Sequence, residues 1–163
     1  MLFRSRKLVD VVEIVRQAVA SVAAQASAKE IQLVAELPAA PAVISADEFL
    51  IEKAILNLLQ NAIAFAPAGG TVSASLASAD DSCMVRITDN GPGIPEFAQT
   101  KIFERFFSLP RPDTGKKSSG LGLAFVREVA LLHCGSVEVK NAATGGVVAE
   151  LVLPRDSDRN TGL

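Results

Sequence analysis

The chain has 163 residues, of which 49% are hydrophobic and 21% charged, and its formal net charge is −2 at pH 7. This length and apolar content suit one globular domain with a core of its own. Lys and Arg are scattered except for the pair Lys116–Lys117, which excludes a general attraction to nucleic acid or to an anionic membrane. We therefore expect neither as a direct partner.

Targeting and cysteine features favour the cytoplasm. No apolar run approaches the roughly 18 residues of a membrane-spanning helix, and no cleavable signal pattern opens the chain. Cys83 and Cys134 lie far apart and match no metal or redox spacing, which favours reduced thiols. We expect a soluble, cytoplasmic piece.

Residues 8–30 predict a first amphipathic helix. Apolar residues recur there at intervals of three and four, and Asp10 is available as a helix cap. The alternating stretch 31–37 predicts a strand, and after a turn with two prolines residues 42–45 predict a second, short strand.

A second helix is predicted from Asp47, a capping residue, to Phe65. It ends before Pro67, because the residue that precedes a proline is pushed out of the α region. Its expected core side consists of apolar residues at helical spacing: Ile55, Leu58, Leu59, Ala62 and Ile63.

Two hairpins are predicted in the second half of the chain. Residues 70–78 and 83–90 alternate around an Asp80–Asp81 turn, and residues 136–141 and 146–154 make the final pair.

A third helix fits residues 120–134, with Gly135 in the left-handed position that often follows a helix. Three helices and a mostly antiparallel sheet predict an α+β fold, a two-layer α/β sandwich with the helices on one face.

Asp89 ends a predicted strand and is followed by a glycine loop, DNGPGIP (89–95). Gly91 and Gly93 would let the backbone approach a flat ligand, and the carboxylate could accept a hydrogen bond from an exocyclic amine such as that of adenine. Taken alone, the heptapeptide is better explained by a plain Asp-Asn-Gly turn.

A second glycine segment, SSGLGLAFV (118–126), sets Gly120 and Gly122 at the start of the third helix. Free backbone N–H groups and the positive end of the helix dipole attract anions there, so a phosphate chain fits. A glycine-rich cap that only allows close helix packing explains the segment equally well.

Asn57 and Asn61 lie one turn apart on one face of the second helix. Mg²⁺ takes one or two protein oxygens and keeps waters and substrate phosphates for its other positions, which two amides would suit. For the pair alone, solvated or locally bonded asparagines are the better explanation.

In this order and at these separations, the motifs resemble those of the catalytic ATP-binding domain of sensor histidine kinases, within the wider group that includes gyrase, the Hsp90 chaperones and MutL. The resemblance implies the Bergerat ATP-binding fold over residues 8–154. It leaves residues 1–7 as the end of a linker and residues 155–163 as a disordered tail. The similar segments are NLLQNA (57–62) for the N box, DNGPGIP for the G1 box, KIFERFF (101–107) for the F box and SSGLGLAFV for the G2 box.

The resemblance implies ATP and Mg²⁺ as cofactors, with Asn57 as the metal ligand and Asn61 as a contact to phosphate or to a metal-bound water. Both would be catalytic. Asp89 would bind the adenine amine, and Phe103 and Phe106 would anchor a lid, residues 108–118. Further nucleotide contacts would come from Gly91, Gly93 and Ile94 at the base, from Lys116 and Lys117 in the lid, and from Ser119, Gly120, Leu121, Gly122 and Leu123 at the phosphates.

The implied activity is that of a protein-histidine kinase. Asn57 stands where ATP-hydrolysing relatives carry a glutamate, and an amide cannot deprotonate water. The acceptor histidine of the family lies on a separate dimerisation hairpin, whereas His133 matches a structural position, so this fragment is not expected to autophosphorylate alone. The implied partners are that hairpin and a response regulator, in a membrane-anchored sensor. Two alternatives stay open: a degenerate nucleotide-sensing module, and an ATP-hydrolysing relative, against which Asn57 and the F box argue.

Three positions depart from the family pattern. Relatives often carry basic residues where this chain has Ala64 and Ser108, and a glycine where it has Ser118. The candidates to supply the missing positive charge come from the F box and lid: Arg105, Arg111, Lys116 and Lys117.

Overall fold

The computed structural model describes residues 6–155, so the expected linker end at residues 1–7 and the expected tail at residues 155–163 lie almost wholly outside it. In the described part, no helix is long and apolar enough to cross a membrane. Its elements follow one another as β1 (Lys7–Asp10), α1 (Val11–Ala28), β2 (Gln32–Glu36), β3 (Val43–Ala46), α2 (Glu48–Phe65), β4 (Thr71–Ser78), β5 (Ser82–Asp89), a short 3-10 helix (Glu96–Ala98), α3 (Gly122–Leu132), β6 (Ser136–Asn141) and β7 (Val147–Pro154).

The main sheet has five strands in the order β2-β4-β5-β7-β6. β2 pairs with β4 in parallel, and the other neighbours are antiparallel. Alternate residues along the three central strands are buried, which gives the sheet one apolar face toward the helices. The predicted α+β two-layer sandwich is confirmed.

The helical layer packs around α2, which contacts both α1 and α3. Its predicted core side is confirmed, since the residues there are at most 5% exposed: Ile55, Leu58, Leu59, Ala62 and Ile63. Burial of one face leaves Asn57 and Asn61 on the opposite, half-buried edge.

The start of α1 differs from the prediction. Residues 7–10 form β1 and pair antiparallel with β3, so the helix begins at Val11 rather than at residue 8. Asp10 is nevertheless the cap, because its Oδ1 accepts hydrogen bonds from the N–H groups of Val12 and Ala42, each at 3.0 Å. Leu8 is exposed and Val9 buried, an alternation that belongs to a strand.

The end of α3 also differs. Cys134, not Gly135, has the left-handed conformation, with φ of +57°. Glycine is needed at 135 for space, because a Cβ there would lie 2.0 Å from the carbonyl oxygen of Val152. The helix itself is Gly122–Leu132, two residues shorter at each end than the predicted 120–134, and position 135 serves close packing of the turn against β7.

His133 joins α3 to the beginning of α2. Its ring is 2% exposed, Nδ1 lies 2.7 Å from the carbonyl oxygen of Val129, and Nε2 lies 3.1 Å from the backbone nitrogen of Asp47. A carbonyl only accepts, so Nδ1 carries the proton and Nε2 accepts from the Asp47 N–H. Desolvation is the largest influence on the pKa of His133 and lowers it. The hydrogen bond to Val129 and the charge of Asp47 raise this pKa, the charge of Arg6 lowers it, and the net shift is downward.

We therefore predict that the free energy of unfolding falls as the pH drops below about 6.5, the ordinary histidine pKa. In that range the unfolded chain takes up a proton that the folded chain, with its lowered His133 pKa, refuses. Urea unfolding at pH 7 and pH 5.5 measures the difference. The His133→Gln variant should lose most of this pH dependence. If the difference in unfolding free energy between the two pH values were unchanged in the variant, His133 would not be its source.

Candidate functional site

A cavity of about 430 Å³ lies between α2, the ends of β5 and β7, and the segment that leads into α3. This volume is in the usual range for a small-molecule site. The expected site residues that line it are Asn57, Asn61, Asp89, Gly93, Ile94, Ser119, Gly120, Gly122 and Leu123. All the sequence motifs thus contribute to one cavity.

The Asn57 side chain is held in one orientation. Its Nδ2 donates a hydrogen bond to the carbonyl oxygen of Lys53 at 3.0 Å, one turn back on α2. The amide oxygen therefore faces away from the helix backbone, and it lies 3.0 Å from the place where a Cβ on Gly122 would stand. Glycine at 122 keeps that space beside the oxygen open.

The Gly122 backbone begins α3, and the preceding residue, Leu121, provides no side-chain cap. The first N–H groups of a helix have no partner within the helix, so they are available to an anion. Asn57 Oδ1 and the start of α3 therefore lie side by side, which brings an oriented amide oxygen next to unpaired helix N–H groups.

Asp89, the last residue of β5, also lines the cavity, and the loop that follows it packs against Phe65, two turns of α2 beyond Asn57. Its Oδ1 accepts a hydrogen bond from the Gly91 N–H at 2.8 Å, which fixes the carboxylate. Desolvation raises the pKa of Asp89, opposed by backbone hydrogen bonds from Gly91 and Val147. A desolvated carboxylate of fixed orientation is a selective acceptor for a ligand amine.

The glycine loop after Asp89 is pinned by a residue that the sequence did not single out. Asn141 accepts a hydrogen bond from the Ile94 N–H at 2.6 Å and donates one to the Ile94 carbonyl at 3.0 Å. Gly93 has φ of +83°, and a Cβ there would lie 2.9 Å from Asn141 Oδ1. The loop thus depends on β6 for its position.

The F box and the G2 box are joined through the backbone. The Phe106 N–H donates to the carbonyl of Gly120 at 2.9 Å, and Ser108 Oγ donates to the carbonyl of Ser118 at 3.1 Å. Gly120 has φ of +73°, and a Cβ there would lie 2.5 Å from the carbonyl carbon of Phe106. The two ends of the lid are therefore fastened together at the cavity.

The prediction that the Phe106 ring anchors the lid is wrong. The ring is 78% exposed, and the residue contributes its backbone in the left-handed region, with φ of +68°. Ile102 is the buried F-box side chain that lines the cavity. Phe103 is half-buried with the Arg127 guanidinium 6.0 Å from its ring centre, and its anchoring role stays a prediction.

Four further expected residues do not line the cavity. Gly91 packs against α2 instead, and a Cβ there would come within 2.4 Å of the Phe65 carbonyl oxygen. Leu121 is 42% exposed. Lys116 and Lys117 lie in the lid outside the cavity, so their phosphate contacts stay a prediction, whereas Arg111 lines it.

Phe65 also lines the cavity and was missed as a site residue. The signal was available, because Asn57, Asn61 and Phe65 follow one another at intervals of four on the same helix face. Asn141 gave no such signal, since its role arises from a contact between distant segments. Arg111 was one of four basic candidates in the sequence, and the structure shows that it is the one in the lining.

The donor set fits Mg²⁺ held together with phosphates. Within residues 6–155 no three His, Cys, Asp or Glu side chains converge in a way that would hold a metal alone. Mg²⁺ sites use few protein oxygens and take others from substrate phosphates, and an oriented amide oxygen beside an open helix start fits that pattern.

Comparison with known proteins assigns the fold and cavity to a class. Residues 46–157 match the family described as histidine kinase-, DNA gyrase B-, and HSP90-like ATPase, and the chain belongs to this family. Its fold is that of the catalytic ATP-binding domain of sensor histidine kinases, as the resemblance in sequence implied.

Among curated relatives, the sensor protein CreC of Escherichia coli (strain K12) is 48% identical over 112 residues, which is 69% of this chain. The chain spans only 23% of the length of CreC. Among solved structures, the mycobacterial sensor histidine kinase MprB has a TM-score of 0.79 at 33% identity, covering 92% of this chain and 97% of that one. The histidine kinase ThkA, solved in complex with the response regulator protein TrrA, has a TM-score of 0.79 at 23% identity. The match covers 94% of this chain and 43% of that one, and at this identity it supports the fold assignment only.

Two adjacent glycines offer a test of how Asp89 is positioned. Gly145 and Gly146 both have positive φ, at +96° and +83°, but only Gly146 is tightly packed. A Cβ at 146 would lie 1.9 Å from the carbonyl oxygen of Asp89, whereas nothing lies within 4 Å at 145. We predict that Gly145→Ala costs about 1–2 kcal/mol of unfolding free energy through backbone strain. Gly146→Ala should cost roughly 1–3 kcal/mol more.

Denaturant unfolding of the two variants gives the comparison, and each is the other's control for backbone strain. Equal losses would mean that the close approach of the turn to Asp89 carries no energetic weight.

Proposed function

We propose that the chain binds ATP with Mg²⁺ and positions the γ-phosphoryl group for transfer to a histidine on another domain of a longer sensor kinase. The observation that carries the proposal is that Asp89 and Asn57 line one cavity, Asn57 Oδ1 beside the open start of α3 and the Asp89 loop against Phe65, two turns further along α2. Family membership and the sensor-kinase relatives support it.

The base end of the cavity supplies selectivity. The Asp89 carboxylate accepts from the exocyclic amine of adenine, while Gly93 and Ile94 form the wall beside the ring. Guanine presents a carbonyl in place of that amine, and a carboxylate fixed by the Gly91 N–H repels it. The proposal therefore includes preference for ATP over GTP.

The phosphate end supplies charge stabilisation. Backbone N–H groups at Gly120–Leu123 bind phosphate oxygens, and Asn57 holds the metal while Asn61 contacts phosphate or a metal-bound water. When bound, Mg²⁺ neutralises phosphate charge and orients the leaving group. The residues then act by positioning and electrostatics rather than as acid or base.

The position of the carboxylate in the described cavity lining favours phosphoryl transfer over hydrolysis. Among the described residues that line it, Asp89 is the only carboxylate, and Gly91 holds it at the base end. A water near Asn57 therefore has no base to deprotonate it. His133 is buried and hydrogen-bonded on both ring nitrogens, so it is not the phosphoryl acceptor.

The partners follow from the same proposal. The acceptor histidine belongs to the dimerisation hairpin of the full-length kinase, and a response regulator receives the phosphoryl group from it. ThkA, a histidine kinase of the same fold, is solved in complex with the response regulator protein TrrA, which is the kind of partner that the proposal names. We place the chain in the cytoplasm, as a part of a membrane-anchored sensor.

Calorimetric titration with Mg²⁺ and ATP tests binding directly. We predict saturable binding, reduced roughly 10- to 100-fold in Asn57→Ala, because a charge-assisted contact contributes about 1.5–3 kcal/mol. Gln17→Ala, which removes an exposed amide on α1, is the matched control and should bind as the parent does. An absence of binding at millimolar ATP would refute the proposal for this chain.

Phosphoryl transfer needs the acceptor. We predict that the chain joined to its dimerisation hairpin forms acid-labile phosphohistidine with ATP, and that Asn57→Ala abolishes it. Normal ATP binding without phosphohistidine would instead favour a nucleotide-sensing module. Steady phosphate release by the chain alone would favour a hydrolase.

A further inference from the structure

The cavity raises the question of which residue supplies positive charge to the phosphates. Position 64 on α2 is an alanine, and position 108 at the start of the lid is a serine. Of the four basic residues from 105 to 117, Arg111 is the one that lines the cavity in the described structure. If Arg111 supplies this charge, contacts of the lid must keep its side chain at the cavity.

Arg111 opens a compact turn, residues 111–116, which we call the lid turn. The Arg111 N–H donates to the carbonyl of Lys116 at 2.9 Å, and the Gly115 N–H donates to the carbonyl of Arg111 at 2.8 Å. Asp113 Oδ1 accepts from the Thr114 N–H at 2.8 Å. These bonds shape the turn but are all internal to it.

An ion pair that links the lid turn to the domain is made by Lys29, the residue after α1. Its Nζ donates to the carbonyls of Ile63 and Ala64, each at 2.9 Å, in the last turn of α2. The same Nζ lies 3.6 Å from Asp113 Oδ2. Lys29 thus brings a positive charge to the backbone of Ala64 and joins it to the lid.

The two partners in this ion pair are unequally exposed. The Lys29 side chain is 18% exposed and Asp113 is 48% exposed. Two helix carbonyls already hold the ammonium, and the negative end of the α2 dipole favours it there. Only the Asp113 side must be ordered when the lid turn docks, which reduces the entropy cost that weakens most surface ion pairs.

The ionisation of Asp113 agrees with this contact. Desolvation acts to raise the pKa of Asp113, but the charge of Lys29 and the hydrogen bond from Thr114 outweigh it and hold the pKa below its usual value. The carboxylate is therefore charged at neutral pH.

We propose that Lys29 and Asp113 are positioning residues that latch the lid turn onto the end of α2, and that this latch holds Arg111 over the cavity, where its guanidinium binds the phosphate chain of the nucleotide. The inference rests on the proposed function, because it takes ATP as the ligand. It assigns the missing phosphate cation to one lid residue and explains how a lid with two prolines, two serines and one glycine keeps that residue in place.

A double-mutant cycle on ATP affinity tests the latch, with Mg²⁺ present and calorimetry as the readout. Arg111→Gln should weaken binding roughly 10-fold or more, as expected for loss of a charge-assisted phosphate contact. Asp113→Asn should weaken it about 2- to 5-fold, the range of an exposed ion pair. In the Arg111→Gln background, Asp113→Asn should have no further effect, because Asp113 acts only through Arg111.

Three controls separate the latch from general effects. Asp80→Asn makes the same charge change in the β4–β5 turn, at the far end of β5 from Asp89, and should leave affinity unchanged. Arg16→Gln, on the exposed side of α1, is the matched control for the charge change in Arg111→Gln and should also leave affinity unchanged. Lys29→Arg should retain affinity, whereas Lys29→Met should match Asp113→Asn once thermal melting shows that it is folded.

The outcomes are distinct. If the parent chain binds no ATP, the proposed function fails, and the latch with it. If the parent binds and Arg111→Gln changes nothing, or Asp113→Asn weakens binding equally in both backgrounds, the latch alone is overturned. A loss in Lys117→Gln as large as that in Arg111→Gln would overturn the assignment of the cation to Arg111.

Discussion

The site depends on α2 being fixed at both ends. At its beginning, Asp47 caps the helix through its side chain and donates its own N–H to the buried His133 ring. At its end, Lys29 binds two of the last carbonyls, and Gly91 brings the Asp89 loop against Phe65. Between these points, burial of the apolar face sets the rotation of the helix, which directs Asn57 and Asn61 toward the cavity.

Backbone geometry, more than side-chain chemistry, shapes the rest of the cavity. Glycines at 91, 120, 122 and 146 each stand where a Cβ would come within 3.0 Å of another atom, so these segments are packed as closely as a main chain allows. The two polar side chains central to the proposed site are held by backbone partners, Asn57 by Lys53 and Asp89 by Gly91. Such preorganisation suits a reaction that is catalysed by positioning and electrostatics.

Much of this could be predicted from the sequence, because its signals were local. Periodicity located α2 and both hairpins of the main sheet, and the glycine motifs marked the loops that meet at the cavity. Residues 8–10 were misassigned because the first turn of a helix and a short strand with one buried residue look alike in sequence, and only pairing with β3 decides between them. Phe106 was misassigned because an aromatic in a motif suggests a buried ring, whereas its backbone makes the contact. Lys29 and Asn141 make contacts across 34 to 84 positions in the sequence, and Arg111 lies in the lid. No periodic pattern in the sequence indicates such contacts.

The central claim is that one nucleotide spans the cavity from Asp89 to Asn57. Titration of the isotope-labelled chain with Mg²⁺ and a non-hydrolysable ATP analogue, followed by NMR, tests it most directly. The account predicts that the side-chain amide of Asn57 and the backbone amides of Gly91, Gly120 and Gly122 shift together with one dissociation constant, while the β4–β5 turn does not respond. Shifts confined to only one end of the cavity, or centred outside it, would contradict the account.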